Sequence, residues 1–392
     1  MNISQIDKML CTGCSLCFQN CPQSAISMQT GSEGFLYPII DNTKCTLCGI
    51  CFDSCPQTRR NAFKESNITA IYACQALDHD ILLEATAGGL FPVLANSIIQ
   101  KGGLVYGAVY DENMKVVHEE ISCVKDINRM NGSKYVQSDI SQIMPKVKKA
   151  LTESKTVLFS GTPCQIEAIK GYCDDVDTSK FYTLDVVCYG VPSPKLFRDY
   201  IGTVEKENNS KVIDFRFRDK HSIGWSHTTV IKLKTPNDEI KQIEEFNYKN
   251  ISYYRMFARR DCFRKSCYRC KYNTLHRYSD ITTGNFWNIE KISEAFNTKL
   301  GVSMALINTK KGQKLFDSIR SELFTEVRSI DEAMKSNDAL YKGSCLPWQR
   351  NKIYKFYNSH GFTATINHFY SASLICKLRM KLGRVIHIIK RR

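Results

Sequence analysis

No stretch of 18 uncharged apolar residues occurs in the 392 positions, so no membrane-spanning helix is expected. The opening MNISQIDKML lacks the basic start and long apolar core of a secretory signal. A cytoplasmic chain is the expectation, and there disulfides are rare and clustered thiols more often bind metal. Low-complexity tracts are absent. So is acid from the C-terminal end: residues 341–392 hold eleven Lys or Arg and no Asp or Glu. Residues 1–60 hold four basic and four acidic side chains, which cancel. The net charge of +15 is therefore largely local to a tail. That distribution argues against the broad basic face of a nucleic-acid binder. The length exceeds one average core and predicts two or three domains.

Cysteine is plentiful, with 18 in all and eight in the first 55 residues. CTGCSLCFQNCP places Cys11, Cys14, Cys17 and Cys21 before Pro22, and CTLCGICFDSCP places Cys45, Cys48, Cys51 and Cys55 before Pro56. Both runs read C-x2-C-x2-C-x3-C-P, offset by 34 residues. Three thiolates within seven residues wrap one corner of a [4Fe–4S] cubane, and the fourth ligates the other cluster. The expected sets are Cys11, Cys14, Cys17 with Cys55, and Cys45, Cys48, Cys51 with Cys21. Structural zinc prefers two well-separated C-x2-C pairs, which this spacing does not supply. Over about residues 5–58 the chain resembles bacterial two-cluster ferredoxins. The offset predicts two similar halves related by a pseudo-two-fold axis.

Behind a polar linker at 59–70, strands and helices alternate. LLEATAGGLFPVLANSIIQKGG predicts a helix, LVYGAVYD a strand, and TVLFSGTPCQIEAIKGY and YTLDVVCYGVPSPKLFRDYI each a strand, turn and helix. This is the pattern of an α/β domain with a largely parallel sheet. VIDFRF and HTTVIKLKT alternate with period two and predict antiparallel strands. The expected fold class is α/β: a small α+β two-cluster ferredoxin domain over 1–60, then an α/β flavin-binding domain over 70–320 with an additional antiparallel strand region. A helical, basic C-terminal region covers 321–392.

Cys164 and Cys188 fall where an apolar strand gives way to a helix, the end of an α/β sheet where ligands gather. CFRKSCYRCKY adds Cys262, Cys267 and Cys270. Spacing alone leaves three readings open here: a third cluster, zinc, or buried apolar cysteines.

AGGLFPVLANSIIQKGGLVYGAVY, GSKYVQS, GTPCQI, VVCYGVPSPKLF, SCYRCKY and SDITTGNFW together resemble the beta-subunit family of deazaflavin-coenzyme (F420) hydrogenases and formate dehydrogenases. That family includes bacterial proteins from surface-polysaccharide gene neighbourhoods. The resemblance runs over about 70–320. It implies FAD and a third [4Fe–4S] cluster held by Cys164, Cys188, Cys267 and Cys270, and leaves Cys262 over as a candidate substitute ligand. Glycines allow close backbone approach to a diphosphate, so Gly88 and Gly89 are candidate FAD contacts. Ser133, Lys134 and Tyr135 of GSKY, and Thr283, Gly284 and Asn285 of TTGN, are the others. Many family members carry Asp at the position of Asn285, so a role that needs a carboxylate there is in question. His221 and His227 are candidate proton donors, against ordinary solvent-exposed or core roles.

SLICKLRMKLGRVIHIIKRR sets Leu374, Leu378, Leu382, Val385 and Ile389 on one helical stripe amid basic residues. Such a helix can rest on an anionic membrane at its inner face, or dock on protein. The expected function is an iron–sulfur flavoprotein oxidoreductase. A soluble donor such as ferredoxin supplies electrons, and an organic molecule or glycan intermediate of surface polysaccharide biosynthesis receives them. The rivals are an electron-relay subunit of a larger complex, and a zinc-stabilised nucleic-acid binder.

Overall fold

The computed structural model describes residues 1–58, 68–246 and 252–370. The apolar stripe of the basic tail, Cys376 and most of the expected linker lie outside them. Among the described residues, no helix is long and apolar enough to cross a membrane.

The N-terminal module holds α1 (Leu16–Gln19), the antiparallel pair β1 (Ile26–Thr30) and β2 (Leu36–Ile40), and α2 (Ile50–Asp53). The 34-residue repeat extends to the backbone. Gly13 and Leu47 both take positive φ (67° and 56°), as do Ser15 and Gly49 (65° and 86°). Each pair is offset by the same 34 positions, so each thiol loop turns in the same way before its short helix.

The body follows with β3 (Ala70–Ala76), α3 (His79–Glu84), α4 (Leu90–Gln100), β4 (Leu104–Tyr110), β5 (Val116–Ile121), α5 (Ile127–Met130) and α6 (Met144–Thr152). Next come β6 (Val157–Gly161), α7 (Pro163–Tyr172), β7 (Phe181–Val186) and α8 (Pro194–Asn208). The chain continues with β8 (Lys211–Arg216), β9 (Thr229–Lys234), β10 (Ile240–Glu245) and α9 (Ser252–Ala258). It closes with β11 (Ile281–Asn285), β12 (Ser303–Ile307), α10 (Lys310–Asp317), β13 (Leu323–Val327), α11 (Ile330–Ser336) and α12 (Arg350–Tyr370).

Eight strands form one sheet in the order β13-β3-β12-β11-β7-β6-β4-β5. Its centre, β11-β7-β6-β4, is parallel, and the flanking strands run antiparallel. The parallel strands are buried on both sides, as such sheets require. Ile98, Val105 and Leu158 belong to one apolar cluster, and Val147, Phe159 and Ile166 to another. β8, β9 and β10 make the separate antiparallel sheet. β13 pairs with β3 in the large sheet. The body therefore runs past residue 320, and the expected helical C-terminal region opens with a strand.

Module and body are joined by buried polar contacts. Arg350, fully buried on α12, makes a two-point pair with Glu33 at 3.0 and 2.7 Å. Removing one partner of a buried pair costs about 3–5 kcal/mol, because the other charge stays behind uncompensated. Lys271 donates to the Pro56 carbonyl and pairs with Glu167 on α7. Gln19 donates to Ser141 O, and Gln137 to Thr12 O.

Candidate redox centre

Twelve thiols fall into three sets. In the first, burial pushes Cys14 up to about 11 and Cys55 to about 12, and Cys17 higher still. Cys11, Cys14 and Cys55 add to the rise at Cys17 by their own charge. In the second, burial raises Cys51, and Cys21, Cys45 and Cys48 add to it. One cavity is lined by all four thiols of that second set. Each group thus contains the crossed-over cysteine that the ferredoxin spacing implies.

The third set is assembled by topology. β6 ends at Gly161, and Thr162 caps α7, with Pro163 at the first helical position. The Gln165 side chain accepts from Thr162 N at 3.0 Å. Cys164 therefore sits on the opening turn of α7, its sulfur 3.2 Å from Thr162 Oγ1. Beside it, β7 runs on through Val187, whose N–H donates to Thr283 O, and delivers Cys188. Pro192 then bridges Phe263, and Arg264 N donates to Val191 O. That pairing brings the 265–269 turn alongside, so that Val191 N donates to Cys267 Sγ at 3.4 Å. Cys164, Cys188, Cys267 and Cys270 line one cavity, to which Leu10, Thr12 and Gln57 of the module also contribute. Burial raises all four thiols, Cys164 to about 12 and Cys267 to about 11. Cys262 does not line this cavity. It is fully buried in an apolar cluster with Tyr253 and Tyr354.

Among the described residues, no three His, Cys, Asp or Glu side chains converge as they would around one metal ion. The first set feels both of the others: Cys51 of the second acts on Cys17, and Cys164 of the third acts on Cys14.

The other predicted residues gather at the carboxyl ends of the parallel strands. Ser133 N donates to Thr86 Oγ1 at 2.7 Å, tying the GSKY loop to the entry of α4. A Cβ on Gly88 would stand 2.1 Å from Cys74 O and 2.5 Å from Ser303 N. Only glycine fits there, and what it meets is the sheet, so its first duty is packing. Ser303 pairs with Asn285 in the register of β12 and β11, so the GG and TTGN segments are neighbours. Asn337 donates to Asn285 O and accepts from Tyr189 OH. It also lies 3.5 Å from where a Cβ on Gly284 would be. The Thr283 carbonyl accepts from Val187 N at 2.8 Å. Lys134 turns its ammonium back on the carbonyls of Asn131 (3.1 Å), Met130 and Gly132. Burial pushes it down to about 7. Tyr135 stacks on Phe257 and Tyr254 with centroids 4.3 and 5.4 Å apart. His227 meets Tyr254 OH at 3.0 Å, and burial lowers it to about 4, so it is neutral at pH 7. His221, about half exposed, lies between Asp219 and Glu84.

Two cations here escaped the sequence reading. Lys220 is 2% exposed and donates to the carbonyls of Leu82 and Ala87, both at 2.6 Å. Burial, then Arg218, push it down to about 7. Arg218 is also buried, between the rings of Trp225 and Trp287 (5.1 and 4.9 Å). Among the described residues neither cation has a carboxylate partner. The entry of α4 beside them has a left-handed N-cap, Gly89, and no side-chain cap. Gly132, Ser133, Lys134 and Arg218 line an open surface cavity together with Glu84, Asp214 and Asp219, and Lys220 does not line it. Lys220 and Arg218 lie in a strand-end segment, and no spacing signal marks them.

Residues 154–333 match the family model for the C terminus of the beta subunit of coenzyme F420 hydrogenase/dehydrogenase, and residues 10–58 match the 4Fe-4S dicluster domain. Among solved structures, the chain is similar to one in the xenon-derivatised F420-reducing [NiFe] hydrogenase complex from Methanosarcina barkeri. Identity is 18% and the TM-score 0.45, over 70% of this chain and 89% of that one. No curated protein matches. The chain carries an N-terminal 4Fe-4S dicluster domain followed by the C-terminal domain of that beta-subunit family. It is an iron–sulfur redox protein related to the beta subunit of F420 hydrogenase.

Proposed function

We propose that the protein is a flavin-dependent iron–sulfur oxidoreductase. It takes single electrons from a soluble ferredoxin-like donor and reduces an organic substrate, for which a glycan intermediate of surface polysaccharide synthesis is the expected class. One observation carries this reading. The third thiol set shares a cavity with the dicluster module, and Tyr189 of that cavity bonds to Asn337, which donates to Asn285 O beside the α4 entry. A relay that ended at the module would not require that placement.

FAD, when bound, supplies the exchange between one-electron and two-electron chemistry. What favours it is the chemistry at these strand ends. Buried cations without counter-charge are costly unless an anion joins them. Lys220, Arg218 and the uncapped α4 N-terminus would offer that compensation to a diphosphate, against Glu84, Asp214 and Asp219 of the Arg218 cavity. Asn285 and Asn337 can hydrogen-bond a polar ring but cannot carry a carboxylate's charge. His227, neutral at pH 7, serves there as a hydrogen-bonding group and not as a charged acid.

Anaerobic purification with iron, sulfide and flavin analysis tests the reading. The expected result is about twelve irons, at four per cubane, with one FAD per chain. Lys220→Met combined with Arg218→Met should strip the flavin and leave the irons. A chain with full iron and no flavin, under conditions that load related flavoproteins, would sink the proposal and leave a bare electron relay.

A further inference from the structure

Arg264 is 1% exposed and sits between the first and third thiol sets. Its Nε donates to Cys11 O at 2.7 Å, and one terminal nitrogen donates to Leu36 O at 2.8 Å and to Cys11 Sγ at 3.5 Å. The other terminal nitrogen donates to Gln137 Oε1 at 3.2 Å. The guanidinium lies 4.4 Å from the ring centroid of Tyr37. Every partner is neutral except the sulfur. Among the described residues no carboxylate pairs with this cation, whereas Arg350, the other large buried arginine of the interface, has Glu33. A permanent charge buried this deeply needs a compensating one. Thiolate sets that hold iron supply it on both sides.

We propose that Arg264 is the potential-setting residue of the first cluster. Its guanidinium holds that cluster's potential up through the bond to Cys11 Sγ and keeps it matched to the third. Hydrogen bonds to cluster sulfurs and local net charge are among the protein's means of setting cluster potentials. A positive charge favours the reduced, more negative cluster, so its removal lowers the potential. The step it governs is transfer of one electron between two clusters, with no proton or bond involved. Lysine keeps the charge but cannot make the forked contacts to Cys11 O, Cys11 Sγ and Leu36 O together.

The inference rests on the cluster reading, and the experiment separates the two. Full-length protein, Arg264→Gln, Arg264→Lys and the control Arg269→Gln are reconstituted anaerobically, counted for iron, and titrated by EPR against potential. Arg269 lines the same cavity but is 60% exposed. Arg264→Gln should keep its iron and lower one cluster, the one whose signal is lost in Cys55→Ala, by about 59 mV or more. That is tenfold in a one-electron equilibrium constant. Arg264→Lys should fall between Arg264→Gln and wild type, and Arg269→Gln should move less than a third as far. Full iron with unmoved potentials in Arg264→Gln overturns the inference alone. Loss of iron from both Arg264 variants, with the retained potentials unmoved, makes the residue structural and overturns it too. Fewer than twelve irons in the wild type overturns the cluster reading and the inference with it.

Discussion

The two thiol loops of the module share spacing, backbone conformation and a 34-residue offset, yet they occupy opposite environments. The first is walled in by the body. Leu16 joins the apolar cluster of Phe159 and Ile166, Thr12 O and Cys11 O accept from Gln137 and Arg264, and Cys14 senses Cys164. The second faces outward, with Cys48 exposed and Leu47 and Ile50 64% and 43% accessible. Equal spacing gives equal ligand sets. On the proposed reading, environment then divides the labour, with the outer set as inlet and the inner set as coupling to the body.

The largest effect tests the crossed-over ligands. Cys55 lies in the second repeat but belongs with the first set, and Cys21 the reverse. Cys55→Ala and Cys21→Ala should each lose about four irons. Only Cys55→Ala should cut the module off from the third set. Its reduction of the body by any donor should fall at least a hundredfold. Cys21→Ala should lose reduction by a protein donor yet keep reduction by dithionite, which can reach the first set directly. Loss of the body's reduction in Cys21→Ala, with its retention in Cys55→Ala, would reverse the order of the series.

A smaller effect separates the matched backbone positions. A Cβ on Gly13 would stand 2.6 Å from Arg264 Nη1, and its φ is +67°. The left-handed conformation costs a non-glycine residue about 1–2 kcal/mol, and Arg264 is too well anchored to yield. Gly13→Ala should destabilise the holo protein by about 2–4 kcal/mol, within the range of severe single substitutions. At the equivalent Leu47, the chain already carries a side chain in that conformation, facing water. Leu47→Gly should change stability by under about 1 kcal/mol, since relief of strain offsets added chain entropy. Anaerobic denaturant melts read both. Equal losses at the two sites would mean that the body does not wall in the first loop.

How legible each part was follows from how local it is. The eight module thiols were readable because the ligand pattern is written within eleven residues, twice. The third set needs Cys164 and Cys270 brought together across more than a hundred residues by β6, β7 and the Pro192–Phe263 bridge. Spacing could not tell its single cysteines from core ones, and only the resemblance singled them out. The parallel centre of the sheet was visible in the alternation of strands and helices. β13 was not, because LFTEV pairs with β3, some 250 residues earlier. Gly88 was read as a phosphate contact, and the structure adds a packing demand from Cys74 and Ser303. Lys220, Arg218 and Arg264 were illegible for one shared reason. A buried cation's importance lies in the missing carboxylate around it, and that is a property of the fold.

The smallest effect bears on the outward face of the second loop. Leu47 and Ile50 stand beside Cys48 with Lys44, Asp41 and Asp53 near them in sequence. Electron-transfer encounters use small interfaces, often below about 1,200 Å², so two exposed apolar side chains are a sizeable share of one. Leu47→Ser with Ile50→Ser should slow reduction by a ferredoxin-type protein about two- to fivefold, equivalent to about 0.4–1 kcal/mol of encounter free energy. Iron content and reduction by dithionite should be unchanged, because neither residue is a ligand and the small reductant makes no interface. An unchanged rate with the protein donor would move the inlet away from this loop. The donor would then have to meet the first or third set directly. The two halves would differ in burial alone and not in task.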